Sequence, residues 1–430
     1  MAHEKRTPIS SFTWDFDNKF ISYLAFNDDT TREQAEGIGK DVQGIPWRSH
    51  PEYSRSKYRF ERMSYCDTFP NTVEESKPLG DLSDVEDRFI SNENGCFYNF
   101  RQNVRAASCS MTHFQLRHLV SATSPYQVYH MDDFSIWEWN GSASKNKLRG
   151  TQTKVMDLKK GGVGGLSNQY EDDPGMGVLV STMAANENLV AVGGFKGECI
   201  VKNVSTESIV FNKRLTDNKS AITNYIDLNG DKTLISSNDH FVRIFDTGTF
   251  TMTQSFSFGY CINNAVKKDK MMTLVGDTDV ISICEVESGK ELYSLKGHLD
   301  FSFASAWHPC NSHIVATGSQ DNTIRIWDLR KADKSLKAIV GCLGAIRSLR
   351  YSEDGKFLAA SEPADFVHVY DVGADYTREQ QLDIFGEVTG IAFGRGDGGL
   401  NLFVGVFDKN YKSLMEFERN TIATVDTILL

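Results

Sequence analysis

Beyond about residue 96 the chain alternates short apolar runs with polar turns. No stretch sustains apolar residues at helical spacing over several turns, so strands are predicted throughout this region. The clearest unit is Lys296–Lys331. Within it Ile314, Ala316 and Gly318 alternate with Val315 and Thr317, Ser319–Asn322 forms a tight polar turn, and Thr323–Trp327 alternates again as a returning strand. Aligning the other runs on Trp327 selects Trp139, Lys202, Phe245, Cys284, Tyr370 and Phe417. Five of the six intervals fall between 39 and 47 residues and the first is 63, so seven repeats are predicted, with an insertion at about 141–177.

Lys296–Lys331 opens with Gly297-His298 and closes with Trp327-Asp328, and it resembles one complete WD repeat. The resemblance implies an all-β fold, a seven-bladed WD-repeat β-propeller, and a structural relay of His298, Thr317, Asp321 and Trp327 tying the incoming loop to the inner strands. Seven blades need about 280–315 residues. The 430 residues therefore leave room for a largely irregular N-terminal extension over 1–95, ahead of a propeller at 96–430. Either Val104–His113 or Thr421–Leu429 is expected to close the ring as the outer strand of the last blade, because an open edge invites aggregation.

Within the extension, Phe12, Trp14, Phe16, Phe20, Tyr23 and Phe26 form an aromatic cluster, read as a tail packed on the propeller or a docking peptide. Residues 41–47 read DVQGIPW, where Gly44 and Pro46 present Ile45 and Trp47 from an irregular segment. A short helix over Ser54–Tyr65 then places Tyr58, Arg62 and Tyr65 on one face. Its surroundings are basic, with Arg48, Arg55, Lys57, Arg59 and Arg62 against Glu52 and Glu61. Residues 66–95 carry a net charge of −6 and read as a solvated linker. The DVQGIPW segment, the following R-x-x-YR-x-x-R and His113–Tyr129 (HFQLRHLVSATSPYQVY) resemble a family of plant and fungal WD-repeat proteins with an N-terminal D-x-QGIPW motif. The chain departs from that family after Tyr65. Ile45, Trp47, Arg55, Tyr58, Arg59 and Arg62 suit docking on an acidic apolar groove, either the chain's own or a partner's.

A net charge of −11 argues against a nucleic-acid binder. The eight cysteines include no CxxC pair and read as buried free thiols in the cytoplasm and/or nucleus. His308-x-Cys310-x-x-His313 has ligand-type residues but no fourth ligand, and Lys159–Ser167 lacks the Gly-Lys-Ser/Thr of a phosphate loop. Phe393–Gly396 holds one arginine where membrane-binding propellers carry two. No catalytic motif stands out, and no enzyme activity, metal, cofactor, nucleic acid or membrane is expected. The expected function is a scaffold binding protein or peptide partners. Ile314–Arg330 also resembles the box of WD-repeat substrate receptors of cullin–RING ubiquitin ligases. That resemblance implies that Asp328 and Arg330 face the ligase adaptor.

Overall fold

The computed structural model describes residues 29–37, 40–47, 54–66, 88–89, 91–93, 95–141, 150–159, 177–218, 220–408 and 412–420. The early aromatic cluster, most of the acidic linker and Thr421–Leu429 lie outside the described residues.

The described strands form seven antiparallel blades. Blade 1 is built from Val120–Ala122, Gln127–Asp132, Ser135–Asn140 and Thr151–Asp157, in order from the channel outward. Blades 2 to 5 repeat this order, blade 5 consisting of Ser302–Trp307, Ile314–Ser319, Thr323–Asp328 and Lys337–Val340. Blades 6 and 7 share one long strand, Arg378–Phe393. Its first half is the outer strand of blade 6, beside Ala364–Asp371, and its second half is the inner strand of blade 7, beside Asn401–Phe407. The strand turns from one blade into the next at Gly386, whose φ of +126° lies outside the range that L residues adopt readily. The inner strands neighbour one another in sequence, and that of blade 7 meets that of blade 1, which closes the ring.

Each blade interface holds its own apolar cluster. Between blades 4 and 5, for example, Val275, Ile281 and Ile283 pack on Trp307, Val315 and Trp327; between blades 7 and 1, Phe403, Leu414 and Val104 pack on Val128 and Trp139. The stability of each sheet therefore depends on its neighbours, and degenerate repeats are tolerated as long as the faces stay apolar. All seven aligned positions, from Trp139 to Phe417, lie in the third strand of their blades, six of them next to its last residue.

Two expectations need correction. The closing strand is Tyr98–Val104, paired antiparallel with Lys412–Arg419, so the N-terminal side closes the ring with a segment that begins earlier than expected. The span 141–177 is not a single insertion, because Thr151–Asp157 within it is the outer strand of blade 1. That strand is largely polar and buries only Met156, since it lies at the outer edge of its blade.

The extension also contributes strands. Thr30–Thr31 pairs with Tyr98–Val104, Arg88–Phe89 with Lys337–Val340, and Asn92–Glu93 with Arg378–Phe393. Three consecutive blade edges thus gain an extra strand, which blunts edges otherwise free to pair with another chain.

Candidate interaction sites

The DVQGIPW segment is a turn organised by one carboxylate. Asp41 accepts from the Gln43 and Ile45 backbone N–H groups, both at 2.9 Å, and from Trp47 Nε1 at 2.8 Å. Burial raises the Asp41 carboxyl pKa despite these donors and Arg55. Gly44 has φ +80°, and a Cβ there would strike the Thr30 hydroxyl. With this turn fixed, the buried Gln43 amide donates to the Phe385 carbonyl at 2.7 Å and accepts from its N–H at 2.6 Å, pairing the backbone as a neighbouring strand would. Trp47 and Tyr58 then close on the Phe385 ring, at centroid distances of 5.6 and 4.9 Å. Ile45 is half-buried in the same turn.

The helix Arg55–Cys66 supplies three arginines to the same place. Arg55 donates to the Asp383 carboxylate and carbonyl, at 2.7 and 2.6 Å. Arg59 bridges Asp365, at 2.7 Å, and Asp383 while lying over the Phe385 ring. Arg62 is buried and forks onto both oxygens of Asp365 through Nε (2.7 Å) and Nη2 (2.6 Å), and the Gly386 N–H adds a fourth donor to that carboxylate beside Arg59. Burial works against the Asp365 charge, but Arg62 and Arg59 outweigh it and hold the carboxyl below its ordinary range. Of the side chains read as docking on a groove, the chain's own or a partner's, Trp47, Arg55, Tyr58, Arg59 and Arg62 lie on the chain's own blade 6–7 junction, while Ile45 stays in the turn. The groove they fill is acidic and apolar, supplied by Asp365, Asp383 and Phe385. Phe385 and Asp383 were not singled out in the sequence; the only signal was the acidic, apolar run Asp383–Glu387. The Tyr65 side chain lies outside the described residues.

The structure brings His298, Thr317, Asp321 and Trp327 together in blade 5. Trp327 Nε1 donates to Thr317 Oγ1 at 2.9 Å, Thr317 shares a 2.8 Å hydrogen bond with His298 Nε2, and His298 Nδ1 lies 3.1 Å from Asp321. Burial pushes the Asp321 carboxyl up, yet His298, Thr323 and the Leu299 N–H hold it well below the usual range. Every member is buried, so Thr317→Val should leave two polar groups stranded and lower stability by about 1–3 kcal/mol in a denaturant titration.

Asp328 and Arg330 sit at the end of the third strand of blade 5, on the face opposite the Gly-His loop. Arg330 is paired with its neighbour, Nε donating to Asp328 at 2.8 Å, while its side chain remains 61 % exposed. The Arg330 hydrogen bond holds the Asp328 carboxyl down to about 2.

Other clusters of ligand-type residues serve the fold. His308 donates from Nε2 to the Gly355 carbonyl at 3.1 Å and accepts the Cys310 N–H at Nδ1, at 3.2 Å. Cys342, Glu362 and His368 bring ligand-type atoms within 4.8 Å. Both ring nitrogens of His368 face carboxylates, Glu362 at 2.9 Å and Glu379, and Glu362 also accepts the backbone N–H groups of Cys342, Leu343 and Gly344. Cys109, Cys199 and Cys284 are buried free thiols, but Cys96, Cys310 and Cys342 are exposed, contrary to the expectation of buried thiols.

The Gly-His face carries exposed apolar side chains on its loops. Leu299 and Phe301 follow His298 in blade 5, and Phe114 lies in the loop from the closing strand into blade 1, stacked on His113. Blades 1 and 5 stand across the channel from each other.

Comparison with known proteins agrees with this architecture. Residues 289–328 match the family model "WD domain, G-beta repeat". The chain is 31 % identical over 104 residues to WD repeat-containing protein ATCSA-1 of Arabidopsis thaliana, an alignment covering 23 % of each. It is 32 % identical over 143 residues to Coronin-7 of Mus musculus, covering 32 % of this chain and 15 % of that protein. It is 24 % identical over 302 residues to nuclear distribution protein nudF of Aspergillus niger, covering 64 % and 61 %. Each alignment thus spans less than two thirds of the relative's length. Among solved structures, the WD40 β-propeller domain of Doa1 superposes with a TM-score of 0.57 at 12 % identity over 76 % of this chain and 98 % of that one. A chain from the mitotic checkpoint complex does so with a TM-score of 0.57 at 14 % identity, over 72 % and 91 %. The chain carries a WD repeat in its fifth blade, has WD-repeat relatives at low identity, and folds as a WD40 β-propeller.

Proposed function

We propose that this protein is a non-catalytic scaffold that binds protein or peptide segments on its Gly-His face, with the N-terminal arm serving as an internal latch. The observation that carries this reading is the placement of Phe114, Leu299 and Phe301. They are exposed, apolar and held on loops at opposite sides of the channel by a ring whose blade interfaces are fully packed. Rigid aromatic anchors of this kind supply most of the binding energy in protein interfaces. The D-x-QGIPW segment supports placing the chain with the plant and fungal proteins that share it, and the buried free thiols Cys109, Cys199 and Cys284 fit a setting in the cytoplasm and/or nucleus.

The test is quantitative capture with tagged full-length protein. A Phe114→Asp/Phe301→Asp double variant should lose its partners about tenfold or more while melting like the wild type. Trp47→Ala should instead lower stability and reduce capture only in proportion to the folded fraction. Partner loss in Trp47→Ala at unchanged stability would make the arm a docking peptide and sink the latch.

A second reading, as a substrate receptor of a cullin–RING ligase, draws on the exposure of Arg330 at the end of the Ile314–Arg330 box. It requires the ligase adaptor among captured proteins and its loss in Arg330→Ala. Absence of the adaptor under mild extraction removes it.

A further inference from the structure

The mouth of the channel on the Gly-His face holds two guanidinium groups that the ring does not use fully. Arg117 lies in the loop leading into blade 1, and Arg347 immediately precedes the inner strand of blade 6. Both are buried, at 1 % and 0 % exposure. Arg117 Nη2 donates to Glu387, at 2.6 Å, and Arg347 Nη2 donates to Gln320 Oε1, at 2.9 Å. The Arg347 guanidinium also lies 3.9 Å from the Phe303 ring centroid. Arg117 Nε, Arg347 Nε and Arg347 Nη1 have no acceptor.

The charge balance is equally incomplete. Glu387 is the one carboxylate bonded to either arginine among the described residues, and Asp300 acts on Arg347 only at longer range. Burial, then the neighbouring Arg117 charge, lowers the Arg347 guanidinium to about 9. His113, half-buried in the same loop as Arg117, is lowered to about 4 by burial and by both arginines, so it stays neutral near pH 7. Arg62 gives the contrast within the same molecule, since a buried carboxylate meets its fork on two atoms. Buried cations are normally matched in that way, and two that share one carboxylate and leave three N–H groups without acceptors are poised to take an anion.

We propose that Arg117 and Arg347 form a subsite for an anionic oxygen group, carboxylate or phosphate, borne by a protein segment that crosses the Gly-His face. Phe114 and Phe301 grip its apolar neighbours. The proposal rests on the scaffold reading and names the chemistry of the segment bound. Glu387 and Gln320 are partly exposed and cover the donors. They swing aside as the anion arrives, and the incoming oxygens take the N–H groups that now lack acceptors.

The experiment is thermal unfolding of the full chain in sodium phosphate, sodium acetate and sodium chloride at matched ionic strength. At about ten times its dissociation constant, phosphate should raise the midpoint by about 1–2 °C above chloride. An equal effect of acetate assigns the site to carboxylates, and an effect of phosphate alone assigns it to a phosphorylated side chain. Arg347→Met should abolish the increment while unfolding, without anion, at the same or a higher temperature than the wild type. Glu387→Gln, a change at a partly exposed side chain, should tighten phosphate binding about fivefold by removing the competing carboxylate; it decides the matter should Arg347→Met fail to fold. Equal responses in wild type, Arg347→Met and Glu387→Gln would show nonspecific salt action and overturn the subsite. A wild type indifferent to both anions, with Phe114/Phe301-dependent capture intact, overturns the subsite alone. Loss of that capture dependence with the phosphate increment retained overturns the scaffold reading alone.

Discussion

Arg62→Ala is expected to lower the unfolding free energy by about 3–5 kcal/mol, because it strands a buried carboxylate. Asp365 is 1 % exposed and sits between two blades, where it cannot turn to water. Removing Arg62 leaves it with Arg59 and the Gly386 N–H only. The same residues explain why a conservative change would also be costly: Arg62→Lys keeps the charge but cannot present Nε and Nη2 together to both oxygens. The double variant Arg62→Met/Asp365→Asn should recover most of the loss, since it removes both buried charges with little change in volume and asparagine accepts the φ of +70° at that position. Denaturant midpoints for the two single variants and the double variant give the coupling directly. Additive losses in the double variant would show that the arm and blade 6 do not interact energetically.

The second large effect is a dependence of stability on alkaline pH. His368 is buried in blade 6 with a carboxylate on each ring nitrogen, and Ser91 of the extension donates to Glu379. Burial lowers the imidazolium, but Glu362 and Glu379 outweigh it and raise the group to about 10. An unfolded histidine titrates near 6.5, so the folded state binds the proton more tightly than the unfolded state. The stabilisation is therefore complete below about pH 6.5 and is lost as pH climbs to about 10, a few kcal/mol in all. Glu379 acts in the opposite sense. His368 helps hold its carboxyl below the ordinary value, and that contribution is present above about pH 4.5 and fades as the solution becomes more acidic. His368→Leu should flatten the alkaline limb and lower stability at neutral pH by about 3–5 kcal/mol, leaving two carboxylates buried without their cation. An unchanged alkaline limb in His368→Leu would place the titration elsewhere.

The repeat was legible because each third strand has apolar residues on both blade interfaces. Trp139, Phe245, Cys284, Trp327 and Tyr370 are almost wholly buried there, and their neighbours alternate. The Arg-rich helix face was legible for a similar reason, since Arg55, Arg59 and Arg62 recur at helical spacing and all point inward. What they point at was not legible. Asp365 and Asp383 flank a hairpin some three hundred residues away, and only the pairing of Ala364–Asp371 with Arg378–Phe393 brings them together. The closing strand was misplaced because Tyr98–Val104 does not alternate. Gln102 and Asn103 are buried polar residues, Gln102 donating to Glu416 at 2.6 Å beside Arg101, and a buried polar network looks like a loop to a hydrophobic pattern. Arg117 and Arg347 escaped for the same reason, being charged residues in loops whose burial comes from ring closure.

Amide hydrogen exchange across the arm tests the latch most directly. Protection at Gln43, Ile45, Trp47 and Tyr58–Arg62 should match that of Asn401–Phe407 and Lys412–Arg419 in blade 7, and should collapse together with it in Arg62→Ala. Exchange of those arm amides at unfolded-chain rates, with blade 7 still protected, would show that the arm is not part of the ring.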